Sequence, residues 1–451
     1  MNETFVVRTF GCQMNKHDSE RVAGLLSATG MRPVADTSEA DVVVFVTCCV
    51  REHAEERLRG QVASLKSAKA NRPGGQTIAV GGCIGQRDGA LLLKRSPHVD
   101  VVFGTHNLSH LPSLIESARA GQRQVAEILD ATEDFTSDLP AVREHTWHAW
   151  VPVMVGCDNF CSYCVVPYVR GRERSRRFED IVAECKRLTA DGVLEVTLLG
   201  QNVNSYGRDI YGKPRFAEVL NAVAHTGIAR IRFTTSHPKD LSDATIAAMT
   251  GLPQVARALH LPVQSGSDRV LEAMNRGYTS ASYLETVQRL YDAMPDLALS
   301  TDIIVGFPGE SEDDFCDTLE MVRLARYDQA FTFIYSPREG TAAADMDARI
   351  PKEAVQDRFD RLVEAIRCSA LEKNRALVGT VQRVLFTGVS KRDPSMLTGR
   401  TEGNKVVHVA LPENHRAEEY AGQFADVVVD KARTWFLAGY TLDKESAIGS
   451  D

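Results

Sequence analysis

No stretch of this 451-residue chain approaches the run of about 18–20 apolar residues that a membrane-spanning helix needs. The first residues, Met1-Asn-Glu-Thr-Phe5, lack the basic-then-apolar order of a secretory signal. Positive charge is not in excess: the net charge is −8, so any nucleic-acid contact must come from local patches. No short-period repeat is present. These absences exclude a helical membrane protein and an evenly basic RNA binder, and they predict a cytoplasmic protein. In such a chain ten cysteines point to metal binding rather than to a disulfide framework. The length allows two or three domains with good cores.

Three of the cysteines stand together. In Val155-Gly-Cys-Asp-Asn-Phe-Cys-Ser-Tyr-Cys164, Cys157, Cys161 and Cys164 follow a short apolar run in C-x3-C-x2-C spacing. Thiolates this close can hold one iron–sulfur cluster from a single loop. A four-iron cluster takes four ligands, so three cysteines leave one iron open. A zinc site would also need a fourth ligand, and no suitable His or Cys lies within the loop. Three core thiols or a structural zinc loop are the alternatives on spacing alone.

Residues 1–120 alternate apolar runs at 5–10, 41–47, 77–80 and 99–103 with amphipathic segments. Strands spaced by helices predict a doubly wound parallel α/β domain with its ligands at the carboxyl ends of the strands. Cys12, Cys48 and Cys83 each follow one of those strands, so three thiols far apart in sequence can converge. The alternative is that each merely packs in its loop. Cys49, beside Cys48, is ambiguous, because neighbours in an extended segment face opposite ways. Cys185, Cys316 and Cys368 lie in helical patterns and read as core residues. Residues 121–142, polar and acidic with Glu133, Asp134 and Asp138, read as a linker.

Between 143 and 373, six apolar runs recur at helix-separated intervals: 151–155, 195–199, 230–235, 258–263, 299–305 and 330–335. Six parallel strands predict a partial barrel rather than a closed eight. Their following loops are polar and carry candidate cofactor-binding residues: Gln201, Asn202, Ser236, Ser265, Asp302 and Gly306. After the cysteine loop, Arg170-Gly-Arg-Glu-Arg-Ser-Arg-Arg177 is five-eighths arginine. Arginine suits bidentate phosphate contacts, so Arg170, Arg172, Arg174 and Arg176 are candidate RNA ligands; a solvated charged face is the plainer alternative. From 376 to 445, short alternating strands predict a small β-barrel, with Lys391, Arg392, Arg400 and Lys405 as a local basic face.

The cysteine loop, with Tyr163 and Pro167, resembles the signature of the radical S-adenosylmethionine (SAM) enzymes. The fragments Gly11-Cys-Gln-Met-Asn15, Asp18-Ser-Glu20, Thr47-Cys48, Arg51-Glu52 and Gly82-Cys83 resemble the N-terminal domain of the methylthiotransferases. The last region resembles a TRAM domain. The loops Gln201-Asn-Val-Asn-Ser-Tyr-Gly207, Thr234-Thr-Ser-His-Pro-Lys239 and Leu261-Pro-Val-Gln-Ser-Gly-Ser267 are similar to those of the bacterial tRNA methylthiotransferases of the MiaB type. The resemblance implies two [4Fe-4S] clusters, one on Cys157, Cys161 and Cys164 that cleaves SAM, the other on Cys12, Cys48 and Cys83 that delivers sulfur. It implies that the segment 302–310 lies against the adenine of SAM. It implies methylthiolation at adenine carbon 2 of isopentenyladenosine in the anticodon arm of tRNA, with the methyl group from a second SAM. A flavodoxin or ferredoxin as reductant, a sulfur donor and a monomeric enzyme belong to the same picture. One departure stands out: the family usually has Asn where this chain has Val46. Related enzymes that modify an aspartate of a small-subunit ribosomal protein differ in the loop 201–207. A non-catalytic iron–sulfur RNA binder or redox sensor is the rival from another class.

Overall fold

The computed structural model describes residues 3–49, 52–72, 75–121, 124–130, 135–412 and 415–442. Arg51, Glu133 and Asp134, noted in the sequence, lie outside them. The N-terminal region is one six-stranded parallel sheet. Its strands are β1 (Thr4–Thr9), β2 (Arg32–Pro33), β3 (Val42–Thr47), β4 (Thr77–Gly82), β5 (Val101–Phe103) and β6 (Val125–Glu127), in the spatial order β2-β1-β3-β4-β5-β6. β3 and β4 are buried along their whole length. Their alternate residues feed two separate apolar layers: Val43, Phe45, Ile78 and Val80 on one face, Val42, Val44, Val46 and Ala79 on the other. Two covered faces explain the unbroken apolar runs.

β6 corrects the expected linker. Val125, Ala126 and Glu127 pair with Val101, Val102 and Phe103 as the sheet's edge strand. An edge strand buries little, so polar residues serve there and no apolar run announces it. The described part that follows is not loose either. Arg21 holds the Leu139 carbonyl at 2.5 Å, and Val142 N–H donates to the Glu20 carbonyl at 2.9 Å.

The central region forms the six-stranded partial barrel. The strands β7 (His148–Pro152), β10 (Glu195–Leu199) and β11 (Arg230–Thr234) make one parallel sheet. The strands β12 (Ala258–His260), β13 (Ala298–Val305) and β14 (Gln329–Ile334) make the other. A parallel bridge between Ile231 and Val255 links the two, and a single apolar core runs through both. β7 starts three residues before the expected strand. Met154–Val155 (β8) leaves the barrel and pairs antiparallel with Arg174–Ser175 (β9), closing a ribbon around the cysteine loop.

Cys185 is buried in this core, but Cys316 and Cys368 are exposed, against expectation. In each helix the buried stripe passes beside the cysteine, through Phe315 and Thr318 in one and Ile366 and Ala370 in the other. Helical rotation turns the cysteine outward.

The helix Lys352–Arg375 leads into the closed five-stranded barrel of β15 (Val381–Val389), β16 (Met396–Arg400), β17 (Val406–Ala410), β18 (Phe424–Ala432) and β19 (Leu437–Thr441), in the order β15-β16-β17-β19-β18. It docks on the amino ends of the central strands. Arg232 binds Glu195 at 3.0 Å and donates to the carbonyls of Thr401 (2.7 Å) and Glu402 (3.0 Å). Arg230 reaches the carbonyls of Arg400 and Arg383, each at 3.1 Å. Lys405 meets Asp328 at 2.6 Å and Asn374 at 2.7 Å. Lys405 is thereby spent on the interface and leaves the expected basic face. Removing one partner of a buried ion pair leaves the other unpaired, at about 3–5 kcal/mol. Arg230 partly covers for its neighbour at 3.7 Å from Glu195. Arg232→Met is therefore expected to cost about 2–3 kcal/mol in chemical denaturation and to open the 400–405 loop to limited proteolysis.

Candidate active site

The cysteine loop is braced before it binds anything. Gly156 has φ +82°, and a Cβ there would overlap the Arg172 carbonyl, so only glycine lets the ribbon close. Gly156 N–H donates to Gln201 Oε1 at 2.6 Å, and Cys157 N–H to the Gly171 carbonyl at 3.2 Å. From the far side, Ser162 Oγ donates to the Ala273 carbonyl at 2.7 Å. Asn275 Nδ2 donates to the Phe160 carbonyl at 3.0 Å. Two side chains point at the sulfurs: Asn159 Nδ2 lies 3.4 Å from Cys157 Sγ, and the buried Arg276 lies 3.3 Å from Cys161 Sγ. Burial pushes the Cys157 thiol up to about 11 and Cys164 to about 12. A bound cation would offset that burial and favour the thiolates.

The second group forms at the carboxyl edge of the N-terminal sheet. Gly11, at φ +118°, brings the end of β1 against β3; a Cβ there would overlap Cys48. Cys12 caps the helix Gln13–Ala28, Cys48 follows β3, and Cys83 opens the helix Cys83–Asp88 after β4. Cys12 hydrogen-bonds to Cys48, and Cys83 to Cys49. The Cys48 bond holds Cys12 down to about 6, with Arg170 adding to it against burial. The Cys49 bond and then Arg170 hold Cys83 down to about 7. Val46 is buried in the apolar layer with Val44 and Phe5. Among the described residues no group of three His, Cys, Asp or Glu side chains is placed to hold a metal ion. The fit to a cluster rests on the donor set, which in each triad is thiol alone, the ligand type of iron–sulfur clusters.

The residues around the loop fit a polar nucleoside cofactor. Buried polar atoms normally find partners, and each orphan costs about 1–3 kcal/mol. Here Asn204 (both side-chain atoms), Ser236 Oγ, His237 (both ring nitrogens), Gln264 Oε1 and Tyr335 Oη have none within the protein. They follow β10, β11, β12 and β14, at the same end of the barrel as the cysteines. Burial pushes His237 down to about 2, with Arg276 and Lys239 adding to it, so its ring is neutral and keeps one donor and one acceptor.

Of the residues expected from sequence, Ser236 is open to a ligand in this way. Gln201 instead braces Gly156. Asn202 is occupied, bonding Asp240 at 2.7 Å and His237 N–H at 3.3 Å. Ser265 is occupied by Thr318 at 3.3 Å and Ser267 N–H at 3.2 Å. Gly306 donates to Glu310 at 2.8 Å, closing its own turn. Asp302 is half-buried, 3.4 Å from His260. His237, Gln264 and Asn204 lie in loops whose polarity was visible, but only burial singles them out. Tyr335 sat at the end of an apolar run with no signal.

The arginine run divides. Arg172 is exposed, bound to Asp158 at 2.7 Å and lying over the Phe160 ring. Arg174 packs on Phe135. Arg170 and Arg176 are buried and correct the expectation of a phosphate-binding row. Arg176 binds Glu184 at 2.7 Å, and Arg170 binds Asp18 at 2.9 Å. Asp18, far along the chain, draws Arg170 inward, and Glu184, one helix on, draws in Arg176. Lys391, Arg392 and Arg400 remain exposed. Sequence reasoning missed three exposed aromatics on the C-terminal barrel, Trp435, Phe436 and Tyr440, and a pair at the cysteine loop, where Phe160 meets Tyr168 edge-on at 6.2 Å.

Comparison with known proteins agrees with this layout. Residues 151–322 match the radical SAM superfamily, residues 4–104 match "Uncharacterized protein family UPF0004", and residues 375–442 match the TRAM domain. In fold the chain is similar to the radical SAM methyltransferase TsrM of Kitasatospora setae, at TM-score 0.53 and 12% identity over 76% of this chain and 77% of that one. It is likewise similar to the cobalamin-dependent radical SAM enzyme OxsB, at TM-score 0.51 and 12% identity over 80% and 56%. In sequence it is 52% identical over 409 residues to the tRNA-2-methylthio-N(6)-dimethylallyladenosine synthase of Acidothermus cellulolyticus, covering 90% of this chain and 82% of that protein. The enzyme of the same name from a Thermoanaerobacter species is 45% identical over 445 residues, covering 98% and 93%. The chain belongs to the tRNA-2-methylthio-N(6)-dimethylallyladenosine synthases, enzymes of the radical SAM superfamily.

Proposed function

We propose that this chain converts isopentenyladenosine beside the anticodon of tRNA to its 2-methylthio derivative, using one cluster on Cys157, Cys161 and Cys164 and a second on Cys12, Cys48 and Cys83. The observation that carries the reading is the pairing of two cysteine triads, each at the carboxyl end of a parallel sheet and joined by the short helix Val166–Arg170. The C–H bond at adenine carbon 2 is not acidic, and no side-chain base can open it. A reduced cluster with SAM supplies hydrogen-atom abstraction, and the second cluster supplies sulfur. The protein's own groups do the rest. Arg276 steadies the Cys161 sulfur, while Ser236, His237, Asn204 and Gln264 offer the donors and acceptors that grip SAM. A small iron–sulfur or flavin protein as reductant, a separate sulfur donor and a cytoplasmic setting complete the proposal. No described helix is long and apolar enough to cross a membrane.

RNA is held by exposed aromatics and cations: Phe160, Tyr168 and Arg172 at the cysteine loop, and Trp435, Phe436, Tyr440, Lys391, Arg392 and Arg400 on the TRAM barrel. Stacking a base on an aromatic ring contributes about 1–3 kcal/mol. Trp435→Ala is therefore expected to weaken binding of the anticodon arm by about 5- to 150-fold in fluorescence anisotropy, with SAM cleavage unchanged.

The deciding experiment is mass spectrometry of tRNA nucleosides from cells with and without the gene. Loss of the methylthio nucleoside with build-up of isopentenyladenosine supports the assignment. An unchanged profile in a strain with no second enzyme for the step overturns it.

A further inference from the structure

Arg170 is 7% exposed. It ends the helix Val166–Arg170, which begins two residues after Cys164, and its side chain crosses into the N-terminal domain. Nη2 donates to Asp18 Oδ2 at 2.9 Å and to Asn15 Oδ1 at 3.3 Å. The same Asn15 oxygen lies 3.4 Å from Cys12 Sγ, while Asn15 Nδ2 is fixed on the Phe10 carbonyl at 2.9 Å. Its charge also acts on Cys83 and Cys12, lowering both thiols. The helix is held to the same domain. Thr105 Oγ1 donates to the Val169 carbonyl at 2.7 Å, and Val165 and Val169 pack in one apolar cluster with Cys49 and Cys83. One buried cation, anchored by a carboxylate and an amide, thus faces the N-terminal thiols from the element that follows the radical loop.

A buried guanidinium keeps five donors in a fixed plane, and Asp18 and Asn15 engage only one of its nitrogens. Hydrogen bonds and positive charge at cluster sulfurs favour the form with one more electron and thus raise the reduction potential. We propose that Arg170 is a positioning residue for the N-terminal cluster: it places a buried positive charge beside the thiolates of Cys12 and Cys83, stabilises the reduced state, and fixes that cluster against the helix leading from the radical loop. The proposal rests on Cys12, Cys48 and Cys83 holding a cluster. Reduction there adds one electron from the external reductant and breaks no bond.

The test uses full-length protein in which Cys157, Cys161 and Cys164 are all alanine, so that only the N-terminal cluster binds. Iron is counted, and the cluster is titrated potentiometrically with an electron paramagnetic resonance readout. Arg170→Met is expected to lower the midpoint potential, and Arg170→Lys to recover part of the shift. The radical cluster, titrated in the converse background lacking Cys12, Cys48 and Cys83, keeps its potential in both variants. Full iron with an unchanged potential in Arg170→Met overturns the inference. If Arg170→Met loses its iron, Asp18→Asn decides. Removing the counter-charge leaves the cation facing the sulfurs, so the potential is expected to rise, and an unmoved potential overturns the inference. Absence of iron from the background protein itself overturns the two-cluster reading instead.

Discussion

Cys157→Ala protein, reconstituted and reduced, is expected to release no 5′-deoxyadenosine from SAM and to make no methylthio product. Its iron content should fall by about four atoms per chain. The reason is ligand count. The loop offers three thiols, and the nearby side chains that reach those sulfurs are Asn159 and Arg276, neither of which can replace a thiolate. A cluster left with two cysteines is lost rather than weakened. The fold should survive, because Cys157 is only half-buried and the loop is braced through backbone groups and through Gln201, Ser162 and Asn275. A thermal transition like that of the parent would separate lost chemistry from lost structure. Continued release of 5′-deoxyadenosine would mean that the radical cluster is held elsewhere.

Cys83→Ala is expected to split the reaction. Iron again falls by about four atoms per chain, and no methylthio nucleoside forms, yet SAM is still cleaved to 5′-deoxyadenosine. The two triads follow strands of different sheets, so one can be emptied while the other keeps its own strand ends. The direct cost is small: one sulfur is removed beside Cys49, worth about 1 kcal/mol. The measurement is a single-reaction ratio of deoxyadenosine to methylthio product. Retained product would exclude the N-terminal triad as the source of transferred sulfur.

Much of this was legible because it depends on local pattern. Fully buried parallel strands such as β3 and β4 must be apolar on both faces, and residues 41–47 and 77–80 say so. The spacing of Cys157, Cys161 and Cys164 speaks for one loop without any tertiary knowledge. What failed depended on distant partners. Arg170 and Arg176 read as surface because Asp18 and Glu184, which bury them, have no sequence relation to an arginine run. Met154 and Val155 are as apolar as barrel residues but pair instead with Arg174 and Ser175, so hydrophobicity placed β7 three residues late. Asn202 and Ser265 have the chemistry of cofactor ligands, yet neighbours on other loops already take their hydrogen bonds. His237 shows the converse: only in three dimensions do two unpartnered ring nitrogens become visible.

The docking of the C-terminal barrel through Arg230, Arg232 and Lys405 has a geometric consequence. Those residues lie at the amino ends of the central strands, whereas the cysteine loop lies beyond the carboxyl ends. The two are separated by at least one strand length, about 17 Å for five residues. Because buried ion pairs hold the barrel rather than a free hinge, that separation is constant. An RNA held at both ends, as proposed above, has to span that distance. Length, as well as base identity, would then select the substrate.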